Sequence, residues 1–131
     1  MQIDLITLVV RDYDDAIDFF VNVLGFTLEE DVASLTRSGQ AKRWVVVRPP
    51  LATTGIVLAR ADGDGEVAAV GNQTGGRVGF FLRVDDFDAA LERLRGAGVQ
   101  LLTTPRDEPY GQVVVFRDVA GNHWDLLGPR P

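Results

Sequence analysis

The 131-residue chain contains no cysteine and only one histidine, His123. Without cysteine it can form no disulfide, no thiolate nucleophile and no cysteine-ligated metal site. With one imidazole, no site that needs two histidines can form within one chain. Apolar runs of membrane-spanning length are also lacking, and Met1 to Asp4 lacks the basic start of a signal peptide. We therefore expect a cytoplasmic protein with no membrane role.

Basic residues are outnumbered, with 13 Lys and Arg against 19 Asp and Glu, and the net charge is −6. This balance repels phosphate backbones, so we expect no nucleic-acid partner, whereas a cationic ligand is attracted. Hydrophobic residues make up 46% of the chain and charged residues 24%, which is typical of a globular protein. The length predicts one domain over residues 1–131.

The first part of the chain predicts a strand followed by an amphipathic helix. Residues 5–10 (LITLVV) are an apolar run, and residues 12–26 then place apolar side chains at helical spacing. Asp12 is a suitable N-cap and Gly25 is placed to end the helix. The apolar stripe of this helix consists of Ala16, Phe20, Val23 and Leu24.

The same pattern returns later in the chain, where Asp86-Phe87-Asp88 matches Asp12-Tyr13-Asp14 at an offset of 74. An apolar strand again precedes the acidic cap, and Gly98 ends the second helix. More strands are predicted at 44–48 and 55–60 in the first half and at 112–116 and 123–127 in the second, with shorter candidates near 26–34 and 99–103. Two repeat halves, about 1–60 and 78–131, are thus joined by a glycine-rich segment, 61–77, which we interpret as a linker or lid.

Three motifs in this order resemble the glyoxalase / bleomycin-resistance / extradiol-dioxygenase (vicinal oxygen chelate) superfamily. They are VVRDYDDAIDFFVNVLGF (9–26), FLRVDDFDAALERLRGAGV (81–99) and FRDVAGNHWDLL (116–127). The resemblance implies an α+β fold, in which tandem βαβββ repeats form a curved mixed-sheet cup with helices packed outside. It also implies a homodimer.

The resemblance further implies a divalent metal held by His, Glu, His and Glu. Carried onto this chain, those positions fall on Leu5, about Val57, Gly79 and Asp125. Hydrocarbon side chains and a glycine offer a cation no lone pair, and one carboxylate is too few ligands. We therefore expect no metal and no cofactor.

Side chains alternate across a strand, so one anchored position predicts which others line the cup. Val78, Phe80, Leu82 and Val84 then face the helix layer. The predicted ligand-binding residues are Leu5, Thr7, Val57, Phe81, Arg83, Tyr110, His123 and Asp125.

The polar members of this set have alternative interpretations. Asp125 and Arg83 either contact a ligand or neutralise one another. His123 is either solvated or a general base, and Tyr110 either stacks on a ligand or packs in a turn. Trp124 is predicted to lie in the core.

The leading hypothesis is a metal-independent protein that binds a small aromatic or cationic molecule, for example a drug or metabolite to be sequestered. The alternative is a lyase, isomerase or dioxygenase-type enzyme of the same superfamily with a non-standard site. The missing ligands favour the first, because a superfamily scaffold does not by itself determine a reaction.

Overall fold

Each half of the chain folds as a four-stranded mixed sheet with a helix after its first strand. The computed structural model describes residues 1–131, which form two units, Met1–Val70 and Gly71–Pro131. None of the helices combines the length and the apolar character that a membrane span requires.

The first unit has the strand order β1-β4-β3-β2, in which β1 runs parallel to β4 and the other neighbours are antiparallel. Its elements are β1 (Leu5–Val10), α1 (Tyr13–Asp18), a π-helical segment (Phe19–Val23), β2 (Thr27–Leu35), β3 (Ala41–Arg48), β4 (Gly55–Arg60) and α2 (Asp64–Ala69).

The second unit repeats this order as β5-β8-β7-β6, with β5 parallel to β8. Its elements are β5 (Val78–Arg83), α3 (Phe87–Gly96), β6 (Arg106–Glu108), β7 (Gly111–Arg117) and β8 (His123–Leu127). The predicted α+β class with two βαβββ modules is therefore confirmed.

The two predicted helix starts are confirmed by their caps. The Asp12 carboxylate accepts the backbone N–H of Asp15 at 2.8 Å, and the Asp86 carboxylate accepts that of Ala89 at 3.0 Å. Each cap satisfies a backbone donor that the first helical turn leaves without a partner.

Three local expectations need correction. The predicted strand at 99–103 is wrong: this segment forms only one bridge, Leu101 with Phe116, and the strand beside β7 is β6. The first helix is not α-helical throughout, since it continues as a π-helical segment from Phe19. The glycine-rich segment 61–77 contains the short helix α2.

The core of the first unit lies where α1 packs against β3 and β4. Leu8, Val10, Val45 and Leu58 are fully or almost fully buried, as is Phe20 from the helical region. Burial of aliphatic and aromatic side chains on this scale is the main force that stabilises the sheet.

The core of the second unit is built on an aromatic stack. The Trp124 ring lies 4.5 Å from the ring of Phe80 and 5.8 Å from that of Phe116, measured between centroids. Trp124 is only 2% exposed, so its predicted place in the core is confirmed.

A buried carboxylate, Asp118, holds the turn between β7 and β8. One oxygen accepts the backbone N–H groups of Ala120, Gly121 and Asn122 at 2.9, 2.9 and 3.0 Å. The other accepts the Asn122 amide at 3.2 Å and the Trp124 indole N–H at 2.8 Å. This one side chain therefore links the turn to the aromatic stack.

The edge strand β2 is exposed along its whole length and is tied to β3 by side chains. Glu29 pairs with Arg48 at 2.6 Å, and Asp31 pairs with Arg43 at 2.7 Å. Glu30, which lies between these two acids in the sequence, accepts a hydrogen bond from Trp44 of β3.

Candidate functional site

The first unit contains an open cleft of about 370 Å³. It is lined by the turn between β2 and β3, the start of β3, the end of β4 and the residues that lead into α2. Thr7, Val57 and Ala59 contribute small and apolar surface to it. A volume of this size is sufficient for a small molecule, because ligand pockets begin at about 300 Å³.

Trp44 is the most exposed aromatic side chain of the cleft, with 42% of its surface accessible. Its indole N–H donates a 2.8 Å hydrogen bond to the carboxylate of Glu30 on β2. Val32, which pairs with Trp44 across the strands, is also exposed. Because the indole is anchored by its edge, its rotation is restricted and it presents an aromatic surface toward solvent.

A second aromatic group of the cleft, Tyr13, is buried and carries two guanidinium groups over its ring. Arg43 and Arg60 each lie 5.2 Å from the ring centroid, within the range of cation–π attraction. The Tyr13 hydroxyl also accepts the backbone N–H of Arg43 at 3.2 Å. These contacts fix the wall of the cleft where α1 meets β3.

The charge of Arg43 is neutralised within the protein. It donates to both oxygens of Asp31, at 3.0 and 2.7 Å, and to Asp14 at 2.8 Å. The hydrogen bonds that Arg43 donates to Asp31 and, to a smaller extent, to Asp14 raise the pKa of Arg43, and the contact with Arg43 lowers the pKa of Asp31. Arg43 is therefore part of the scaffold that supports the cleft.

Two other cations of the cleft have no carboxylate partner. Arg60 donates only to the carbonyl oxygen of Ala41, at 3.1 Å, and Lys42 forms no salt bridge. The carboxylates of Asp62 and Glu66 also line the cleft, and Glu66 accepts the backbone N–H of Asp62 at 3.1 Å. The cleft thus offers both signs of charge around an aromatic and apolar surface.

The structure places three of the predicted ligand-binding residues in the first unit. Thr7 and Val57 both line the cleft and pair directly across β1 and β4. Leu5 lies at the start of β1, against Gly55 of β4, and is not part of the cleft.

The other predicted residues lie in the second unit. The expected alternation along β5 is observed at Phe80 and Phe81, whereas the register shifts between Val78 and Phe80, so Val78 lies opposite His123. Phe80 stacks in the core, whereas Phe81 points away and is 65% exposed. Phe81 pairs directly with Asp125 of β8, so both side chains emerge on the same side of the sheet. His123 is two residues from Asp125 along β8 and is partly buried.

Arg83 does not neutralise Asp125. Its guanidinium donates to the carbonyl oxygens of Gly128 at 2.6 Å and Tyr110 at 3.1 Å, and no salt bridge joins it to Asp125. Tyr110, which is partly exposed, thus contacts Arg83 through its backbone. Of the two interpretations offered for the Asp125 and Arg83 pair, mutual neutralisation is therefore wrong.

The carboxylate of Asp125 is partly buried, and no hydrogen bond or salt bridge of the protein reaches it. Partial burial raises the pKa of Asp125, and the positive charge of Arg106 opposes this effect. Arg106 itself is committed to Glu108, at 2.9 Å. Asp125 therefore keeps a free carboxylate on an open sheet face.

The positions that would hold a metal in the resembling family do not fit one here. Leu5 and Val57 are hydrocarbon, and a Cβ at Gly79 would lie 2.7 Å from Cγ2 of Thr74. A donor side chain at position 79 would therefore require Thr74 to move. No group of three or more His, Asp or Glu side chains is arranged to hold a metal ion. Asp125 is the one oxygen donor among the four positions.

Trp44, Lys42 and Arg60 are site residues that the sequence interpretation missed. Their side chains meet only because the β2–β3 turn brings the start of β3 beside the end of β4. The available signal was the run AKRW at 41–44, in which cations stand directly before an exposed aromatic residue. The sequence predicts a strand over 44–48 here and no site residue.

Comparison with known proteins shows the family to which the chain belongs. The model of the Glyoxalase/Bleomycin resistance protein/Dioxygenase superfamily matches residues 2–126. A protein of Shewanella frigidimarina (strain NCIMB 400), named only as uncharacterized, is 47% identical over 123 residues, which are 93% of this chain and 89% of that protein.

Two solved structures from Streptomyces sp. CB03234 are similar over nearly the whole chain. TnmS3, described as an antibiotic binding protein, is 32% identical with a TM-score of 0.75, covering 98% of this chain and 96% of its own. A glyoxalase/bleomycin resistance protein is 31% identical with a TM-score of 0.71, covering 96% and 99%.

Proposed function

Because the chain belongs to the Glyoxalase/Bleomycin resistance protein/Dioxygenase superfamily, we propose that it is a non-catalytic protein that binds and sequesters a small aromatic or amphipathic molecule. The proposed ligand is a drug or a metabolite. The observation that carries the proposal is the open cleft with Trp44 at its surface.

Two further facts support a binding role. The chain has hydrocarbon side chains or glycine at three of the four positions that would hold a metal in the family. The similar protein TnmS3 is described as binding an antibiotic. Since one scaffold hosts several functions, the cleft itself has to supply the argument for this chain.

In the proposed complex a planar ring of the ligand stacks on Trp44, and its apolar edge lies on Val57 and Ala59. Stacking on an indole contributes about 0.5–1.5 kcal/mol beyond the apolar area that it buries. Lys42 and Arg60 are free to pair with an anionic or carbonyl substituent of the ligand. Sequestration needs no more than this, because lowering the free concentration of a compound requires affinity and no bond making.

The test is calorimetric titration of the purified protein with three compounds of different charge. Proflavine is a planar cation, anthraquinone-2-sulfonate is a planar anion, and bleomycin is a cationic glycopeptide. We expect at least one planar compound to bind and to quench the fluorescence of Trp44. In Trp44→Phe, Trp124 is the only remaining tryptophan and should not respond, because it is buried in the core of the second unit.

Two variants separate stacking from folding. Trp44→Ala removes the aromatic surface and should weaken binding about ten-fold or more, whereas Trp44→Phe keeps a ring and most of the affinity. Unchanged affinity in Trp44→Ala, or no binding by any of the three compounds, contradicts the proposal.

The enzyme alternative makes a different prediction for the same samples. Mass spectrometry after incubation should recover a sequestered compound unchanged. A chemically altered compound would favour an enzyme, and loss of that product in His123→Gln would then identify the imidazole as its acid or base.

We also propose that the chain forms a homodimer, as the family resemblance implies, and that it is cytoplasmic, as the sequence predicts. Light scattering coupled to size-exclusion chromatography measures the mass directly, and a mass near 14.3 kDa would contradict the dimer.

A further inference from the structure

The open sheet face of the second unit combines two features that are unusual together. Phe81 in β5 is a large aromatic side chain with 65% of its surface exposed. Its direct partner across the parallel strands is Asp125, a partly buried carboxylate that accepts no hydrogen bond. A carboxylate that has lost part of its hydration and gained no partner destabilises the folded state.

Every arginine in the neighbourhood of Asp125 is held by another group. Arg83 donates to two backbone carbonyls, Arg106 pairs with Glu108, and Arg117 donates to the side-chain oxygen of Gln100 at 3.3 Å. The charge of Arg106 acts on Asp125 through space, but none of these arginines forms a hydrogen bond or an ion pair with its carboxylate.

We infer that Phe81 and Asp125 form a binding site for an organic ammonium group attached to an aromatic or apolar body. The carboxylate accepts a charge-assisted hydrogen bond from the ammonium, and the exposed ring of Phe81 attracts the cation and covers its apolar body. A metal ion is a poor match for this site, since it requires several oxygen ligands and the site offers one carboxylate.

This site consists of residues of the second unit alone and does not depend on the cleft of the first unit. Its net preference for a cation also agrees with the overall charge of −6, which attracts cations over a distance set by the ionic strength. The two proposals can therefore fail separately.

The test uses three naphthalene probes of nearly the same shape, which are 2-(aminomethyl)naphthalene, 2-naphthalenemethanol and 2-naphthoate. Binding is followed by amide chemical shifts of the isotopically labelled full-length protein. We expect the amine to shift the amides of Phe81 and Asp125 and to bind about ten-fold more tightly than the alcohol, with the carboxylate weakest.

Asp125→Asn should reduce the ten-fold preference for the amine over the alcohol to nearly none. Asp107→Asn is the matched control, because Asp107 is an exposed acid in β6 and its substitution removes the same charge from the same sheet. The preference should survive in that variant. Phe81→Ala should weaken both the amine and the alcohol.

A stability measurement distinguishes a binding role from a structural one. Asp125 is partly buried and accepts no hydrogen bond, so its charge is less well solvated in the folded state than in the unfolded chain. Asp125→Asn should therefore raise the melting temperature of the ligand-free protein while abolishing the amine preference. A carboxylate that only supported the fold would show a lower melting temperature when replaced.

The inference is overturned by equal affinity for the amine and the alcohol, by an amine preference that persists in Asp125→Asn, or by no amine binding. It is also overturned by amine-induced shifts confined to Trp44 and its neighbours, a result that would leave the proposed function of the cleft intact.

Discussion

Replacement of Asp118 by alanine should be among the most damaging single substitutions in the chain. The carboxylate is 6% exposed and accepts five hydrogen bonds, three from the backbone of the β7–β8 turn and two from side chains. Asp118→Ala leaves the indole N–H of Trp124 and the amide of Asn122 without their acceptor, and both residues are less than 5% exposed.

The expected cost follows from these two donors. Each buried donor left without a partner costs about 1–3 kcal/mol. Removing the carboxylate also removes the cost of burying it, whereas the turn loses the acceptor of three backbone N–H groups. We therefore expect a loss of about 3–5 kcal/mol, which is a large part of the 5–15 kcal/mol typical of a folded domain.

Urea unfolding measured by circular dichroism gives this quantity directly. Tryptophan fluorescence in the Trp44→Phe background adds a local report, because Trp124 is then the only indole and lies against Asp118. Asp118→Asn keeps the size of the side chain but only one acceptor oxygen, so its cost should be intermediate. A loss below about 1 kcal/mol in Asp118→Ala would refute the role assigned to this carboxylate.

Three further predictions concern the scaffold. Asp12→Ala and Asp86→Ala should each cost about 1 kcal/mol in urea unfolding, since each removes the hydrogen bond that caps a helix; equal stability to the parent would contradict the capping role. Arg43→Met should remove the effect that lowers the pKa of Asp31. The stability that this pair contributes is complete above the ordinary aspartate pKa of about 3.9 and is lost as the pH falls through the lowered pKa of Asp31. The stability of the variant should therefore depend less on pH on the acid side. An unchanged acid unfolding transition would argue against the pair. Gly71→Ala should lower the free energy of unfolding by at least about 2 kcal/mol, because the φ of Gly71 is 73° and a Cβ would lie 2.4 Å from the carbonyl oxygen of Ala120. Thermal unfolding measures this loss. Gly65→Ala is the control, because a Cβ at Gly65 meets nothing within 4 Å.

Features that depend on neighbouring residues were predictable from the sequence. The caps at Asp12 and Asp86 rest on contacts three residues apart, and the alternation of Phe80 and Phe81 follows from strand geometry. The strand next to β7 could not be placed, because Arg106–Glu108 has no apolar pattern and is defined by its partner. A strand was predicted near 99–103 instead, because the adjacent residues Leu101 and Leu102 resemble a short buried strand.

The candidate site was only partly predictable for the same reason. Thr7 and Val57 could be assigned to a common surface from strand alternation and the internal repeat. The anchoring of Trp44 by Glu30 joins residues 14 apart in the sequence and depends on the register of β2 against β3, which includes an irregularity between Leu28 and Glu30. Asp118 could have been suspected, because an aspartate before a Gly-Asn turn is a common local acceptor.

The three consecutive acids of β2 are also expected to oppose pairing of this edge strand with the β2 edge of a second copy. An edge strand presents unpaired backbone groups that can pair with another chain, and negative charge along the edge opposes the approach of a second copy of the same edge. Glu29, Glu30 and Asp31 supply that charge while their oxygens hold β2 onto β3. Strong acid would weaken the ion pairs of Glu29 and Asp31, so the conditions that loosen this strand are also those that leave its edge open to aggregation.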